Sequence, residues 1–203
     1  MRRRAFLAGL STLFAGCGSL AAGTGSDGAG EATVTPAPVP TATQTPGVGR
    51  DRFAGETCET FDDRVHRTLC SHVQEADAGL RLIPERPVAE LDDGRLVSPL
   101  RFTLEWSAEG PLSVFADSWY LLGEVDGEWS DVDSGVGKDP VQTVQPGEPF
   151  FWVLQTTPTY STNQHVPVIT DISPGRYALA VQMVVERTGL YVECLALFDV
   201  VRR

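Results

Sequence analysis

The stretch SWYLLGEVDGEWSDV, residues 118–132, decides the fold. Ser118–Val125 and Glu128–Val132 are rich in aromatic and aliphatic residues and flank Asp126-Gly127. A two-residue hairpin turn needs positive φ at both central positions, and Asp-Gly supplies that at low cost. The stretch therefore reads as two antiparallel strands.

Working outward, the same period-two pattern and turn punctuation recur. Leu80–Ile83 and Leu96–Trp106 read as strands; in the second, Leu100, Phe102, Leu104 and Trp106 alternate with Arg101, Thr103 and Glu105. Glu148–Gln155 follows a Pro146-Gly147 turn, Arg176–Glu186 follows Pro174-Gly175, and Leu190–Val201 follows Thr188-Gly189. About seven short strands separated by turns predict an all-β fold, an immunoglobulin-like β-sandwich, with a small closed barrel as the other arrangement. Trp106, Trp119, Trp129 and Trp152 all fall in these strands, and at least two are expected in the core.

Upstream, CETFDDRVHRTLCSHV (58–73) is the one helix candidate. Thr60 and Asp63 are placed like a capping pair, and Phe61, Val65, Leu69 and Val73 repeat at i+4. The alternative is a loop pinned by Cys58 and Cys70. The pairing of Cys58, Cys70 and Cys194 depends on which holds. Twelve helical residues would separate Cys58 from Cys70 by about 18 Å, beyond the roughly 7 Å a disulfide spans, leaving Cys194 as partner to one of them. A loop would allow Cys58–Cys70 to close locally. The spacing tilts slightly towards a Cys194 bridge, and all three cysteines read as structural.

The first 52 residues differ in kind from the rest. MRRRAFLAGLSTLFAGC has a basic start and an apolar run from Phe6 to Gly16, too short for the roughly 20 residues of a membrane span. Residues 1–16 therefore read as a signal peptide. Arg3-Arg4-Ala5-Phe6-Leu7 resembles the twin-arginine export signature, and Phe14-Ala15-Gly16-Cys17 resembles a lipobox, which makes Cys17 the lipidated residue. Residues 17–52 are dominated by Gly, Ala, Thr and Pro and lack apolar periodicity, the composition of a tether. Residues 53–203 are then the folded domain.

Charge narrows the function. The chain has 16 Lys+Arg, 27 Asp+Glu and a net charge of −11; Lys138 is the only lysine, and only Asp27, Glu31 and Asp51 among the acids precede Phe53. An acidic domain is poorly suited to phosphate backbones or anionic lipid faces, so nucleic acid is not an expected partner.

The segments Tyr120-x-Leu122-x4-Gly127-Glu128-Trp129, Val144-x-Pro146-Gly147-Glu148 and Ile172-x-Pro174-Gly175-x-Tyr177 resemble the prokaryotic immunoglobulin-like domain of surface proteins, over roughly residues 95–200. With the arginine-rich, acidic composition and the export signal, the chain is similar to surface lipoproteins of halophilic archaea. The resemblance implies a sandwich fold, no catalytic residues and no cofactor. It places the domain on the outer face of the cytoplasmic membrane.

Other chemistry finds little support in sequence. His66, Cys70 and His72 lack Cys-x2-Cys or His-x3-His spacing, and Asp131-x-Asp133-x-Gly135 in the acidic hairpin departs from a calcium loop, so no metal is expected. Nucleophile-elbow, phosphate-loop and zinc-protease motifs are absent from the sequence. The most loop-like stretch is Thr156–Asp171, with Tyr160 and His165 as candidate recognition residues. The expected function is a non-catalytic binding or spacer module, held to the membrane through Cys17 and facing an envelope protein. The alternatives are a protease-inhibitor-like module presenting 156–171 and a small secreted metal carrier or enzyme using the histidines.

Overall fold

A computed structural model describes residues 52–73, 79–136, 141–158 and 165–203. The expected signal peptide, lipid site Cys17, most of the tether and Tyr160 lie outside the described residues. The described elements are β1 (Arg67–Cys70), β2 (Leu80–Pro84), β3 (Val88–Asp92), β4 (Arg95–Leu96), β5 (Leu100–Trp106), β6 (Leu112–Val125), β7 (Glu128–Val136), β8 (Gln142–Val144), β9 (Phe150–Gln155), β10 (His165–Ile169), β11 (Gly175–Val185) and β12 (Leu190–Arg202). The expected strands are all present, the one expected over Leu96–Trp106 beginning only at Leu100, and β1, β3, β4, β8 and β10 add to them.

Two sheets form. The larger runs β4-β3-β12-β11-β6-β7, with β1 on β12 and β8 on β6; the smaller runs β10-β9-β5-β2. The arrangement is an immunoglobulin-like sandwich. Neighbours β6, β11 and β12 match the C, F and G strands of that fold, while β2, β5 and β9 match A, B and E. A tyrosine corner marks the same place in the chain as in that fold: Tyr177, at the start of β11, donates its hydroxyl to the Ser173 carbonyl at 2.8 Å.

Alternating side chains fill the space between the sheets. Leu82, Phe102, Trp152 and Leu154 from the smaller sheet meet Leu121, Leu179, Cys194 and Phe198 from the larger. Trp152 is fully buried and donates its indole N–H to the Ala116 carbonyl across the sandwich, 2.9 Å away. Trp106 and Trp119 are also buried, while Trp129 packs half-buried on the outer face. Asp126 (φ 55°) and Gly127 (φ 84°) form the β6–β7 turn as the Asp-Gly pair predicts.

The helix expected over 58–73 does not form. Residues 57–62 run without regular structure, Arg67–Cys70 pairs parallel with Val192–Leu195 of β12, and Cys58 is bonded to Cys70 with Cα atoms 5.8 Å apart. That distance rules out one helix through both cysteines. The lean towards a Cys194 bridge fails with it: Cys194 is a free thiol on the inner face of β12, fully buried in the core. The i+4 apolar spacing has another cause. Phe61 packs onto the outer face of the larger sheet, while Val73 is 55% exposed.

Candidate functional site

The outer faces of the two sheets are treated differently by the chain. Over the larger sheet, residues 52–73 form a cover. Phe53 and Cys70 join Leu122, Ala178, Ala180, Leu195 and Leu197 in a second apolar cluster, against which Phe61, Tyr120 and Trp129 pack. This cover explains why β11 and β12 are buried on both faces along much of their length. A strand read as one-sided from its alternation would have left those outer residues in water.

Polar clasps hold the cover at two places. Glu193, fully buried, accepts the Phe61 backbone N–H at 3.2 Å. Gln182 donates to Asp62 at 2.9 Å and accepts the Tyr191 hydroxyl at 2.5 Å. Burial pushes the Glu193 carboxyl above its ordinary pKa and the Tyr191 phenol above its own. Asp62 goes the other way: the Arg64 guanidinium hydrogen-bonded to it holds its carboxyl well below the usual range. At the second place Arg176 bonds Asp199 at 3.0 Å, pairs with Glu56 and lies over the Phe53 ring at 5.3 Å. Arg52 reaches the same Asp199 at 2.5 Å.

The candidate residues separate on this frame. Cys58 and Cys70 close the cover, and Cys194 sits in the core, where burial raises its thiol pKa well above the ordinary value. Such a thiol is a packing group. His72 is buried with its Nε2 facing the Glu56 carbonyl at 3.2 Å, and burial lowers its pKa. His66 accepts the Tyr191 backbone N–H on Nδ1 at 3.1 Å. The two histidines thus serve the cover, and no group of three or more His, Cys, Asp or Glu side chains able to hold a metal occurs among the described residues.

His165 lies elsewhere. The stretch read as a long loop, Thr156–Asp171, contains β10, which pairs parallel with β9 from His165↔Phe151 to Ile169↔Gln155. Pro167 fits there because β10 is the last strand of its sheet, where a missing N–H costs no ladder bond. The recognition loop is therefore shorter than expected, and His165 belongs to a sheet face.

That face, the outer side of the smaller sheet, is the candidate site. The register sets Ile83, Thr103, Phe151 and His165 in one row across four strands. Arg101, Val153 and Pro167 form the next row, with the Arg101 guanidinium 5.1 Å from the Phe151 ring centroid. Ile83, Phe151 and Val153 are half-buried and Ile169 is 41% exposed. At one end a cavity of about 490 Å³ opens among Arg81, Thr103, Glu105, Ser107, Glu148 and Pro149. Sequence reasoning did not single out Arg81, Arg101 or Phe151. Their alternation with Leu82, Phe102 and Trp152 was the available signal.

No family model and no curated protein matches the chain. Among solved structures it is similar to a chain described as the X-ray structure of Northeast Structural Genomics Consortium target SoR45. That match is 13% identical, covers 62% of this chain and 88% of the other, and has a TM-score of 0.38.

Proposed function

We propose that this protein is a non-catalytic cell-surface lipoprotein, anchored through Cys17, whose immunoglobulin-like domain binds an envelope protein with the outer face of its four-stranded sheet. The observation that carries this reading is the difference between the two outer faces. One is covered by residues 52–73, stapled by Cys58–Cys70, and the other carries half-buried Ile83, Phe151 and Val153 and an arginine over an aromatic ring. Aromatic and arginine side chains at a surface are the usual anchors of protein contacts. The disulfide supports an oxidising, extracytoplasmic location, in agreement with an export signal ahead of it.

Two experiments test the reading. Cys17→Ser is expected to move the protein from the membrane fraction to the soluble fraction; unchanged retention refutes the anchor. Crosslinking on intact cells, followed by capture of the full chain, is expected to recover one envelope protein that is lost with Phe151→Ser and Arg101→Ser. Recovery unaffected by these exposed-face variants, with folding verified by circular dichroism, refutes the binding face.

A further inference from the structure

We propose that the cavity at the end of the four-stranded sheet is a binding site for a small zwitterion, a free α-amino acid in chemical class. The cavity measures about 490 Å³, inside the roughly 300–1,000 Å³ range of small-molecule sites.

Arg81 is the residue that asks for a ligand. It stands on β2 directly opposite Glu105 of β5 in the register, yet none of the ion pairs among the described residues includes it. Its Nε is buried with no hydrogen-bond partner. A buried donor left unpaired is unfavourable, and a planar carboxylate is the acceptor whose two oxygens match the guanidinium fork.

The rest of the lining constrains what carries that carboxylate. Glu105 and Glu148 are exposed and acidic, and the Glu148 side chain is held in place by accepting the Gln145 backbone N–H at 3.1 Å. A simple anion would meet Arg81 favourably but the two carboxylates unfavourably, and a simple cation would meet the reverse. A molecule with a carboxylate and an amine complements both kinds of charge in the lining. Thr103 and Ser107, two residues to either side of Glu105 along the chain, complete the polar lining.

This site deepens the reading of the sheet face as a recognition surface and rests on it for location only. Loss of the envelope partner in Phe151→Ser tests the face without touching Arg81, so each idea can fail alone.

The test is a titration of the full chain, with Cys17→Ser for solubility, watched at the Arg81 Nε–Hε resonance by ¹⁵N NMR. A mixture of the protein amino acids in the millimolar range is expected to shift that resonance saturably, and single additions then identify the binder. Its amide and its N-acetyl derivative are each expected to bind about tenfold or more weakly, since each deletes one charge-assisted contact. Glu105→Gln is expected to weaken the parent amino acid but not its N-acetyl form. Arg81→Met, folded by circular dichroism, is expected to abolish shifts elsewhere in the cavity. No saturable shift with the mixture overturns the proposal. An equal shift with acetate overturns the zwitterion, and so does unaltered binding by Arg81→Met.

Discussion

The Glu193 carboxylate accepts a hydrogen bond from the Phe61 backbone N–H, 3.2 Å away and 132 residues earlier in the chain. The bond ties the covering segment to the outer face of β12 through a side chain that water does not reach. Burial raises the folded-state pKa of Glu193, so the folded state takes up a proton at higher pH than the unfolded chain does. Glu193 thus carries no penalty below its unfolded pKa and costs stability as pH rises through the folded value. Asp62, with its pKa lowered by Arg64, behaves oppositely: its contribution is present above the unfolded value and lost as pH falls towards the folded one. Glu193→Gln is therefore expected to raise the melting temperature at pH 8 by roughly 2–4 °C, for about 1 kcal/mol. The gain should shrink as pH falls towards 5. Circular dichroism melts across that range check it, and a gain that grows on acidification contradicts it.

Reducing or deleting the Cys58–Cys70 bond should loosen the cover without unfolding the sandwich core. The bond closes a 12-residue separation, and a loop of that size contributes about 2–3 kcal/mol by chain entropy. Cys58→Ser with Cys70→Ser is expected to lower the denaturation midpoint and raise binding of a hydrophobic dye, as Leu122, Leu195 and Leu197 lose their cover. Cys194 should stay unreactive to a thiol reagent in the native protein and react only on denaturation, because it is buried on the opposite, inner face. Native-state labelling of Cys194 would contradict the placement.

The strands that sequence exposes most clearly are those with one wet face, such as Leu100–Trp106, whose burial alternates without a break. β6 was legible only from Ser118 because its phase changes. Val114 and Ala116 point inward, Asp117 and Ser118 interrupt, and Trp119 and Leu121 resume one residue out of step across an irregularity in the β6–β11 pairing. β3 and β4 carry a local signal of the same kind: Asp93-Gly94, at φ 46° and 74°, is a second Asp-Gly hairpin turn. The covering segment was hardest to read. Its apolar spacing imitates a helix, and only the long-range pairing of Arg67–Cys70 with β12 shows otherwise. For the binding face, the outward positions Arg81, Arg101 and Phe151 were readable by alternation, whereas the cavity depends on the approach of the Gly147–Pro149 turn to β5.

Tyr177→Phe isolates the tyrosine corner. The hydroxyl donates to the Ser173 carbonyl at 2.8 Å and accepts the Ser173 N–H at 3.3 Å, closing the turn that leads into β11. The ring itself stacks on Phe198 with centroids 5.7 Å apart, a contact that phenylalanine retains. The substitution is expected to cost about 1–2 kcal/mol in chemical denaturation with an unchanged denaturant slope. A change below a few tenths of a kcal/mol would show that the corner adds little here.

Two glycines in the β6–β7 hairpin should fail for different reasons when changed to alanine. At Gly127 a Cβ meets nothing within 4 Å, but φ is 84°, so the cost is conformational, about 1–2 kcal/mol. At Gly135 the backbone conformation is ordinary for an L-residue, yet a Cβ collides with the Asp117 carbonyl and the Trp119 indole nitrogen, forcing β6 and β7 apart at that pair. Overpacking of this kind costs about 1–3 kcal/mol. The energies overlap, so the deciding measurement is spectroscopic. Gly135→Ala is expected to alter near-ultraviolet circular dichroism and fluorescence through Trp119, and Gly127→Ala to leave both signals near wild type. If both variants leave the tryptophan signals alone, Gly135 is not holding Trp119 against the strand.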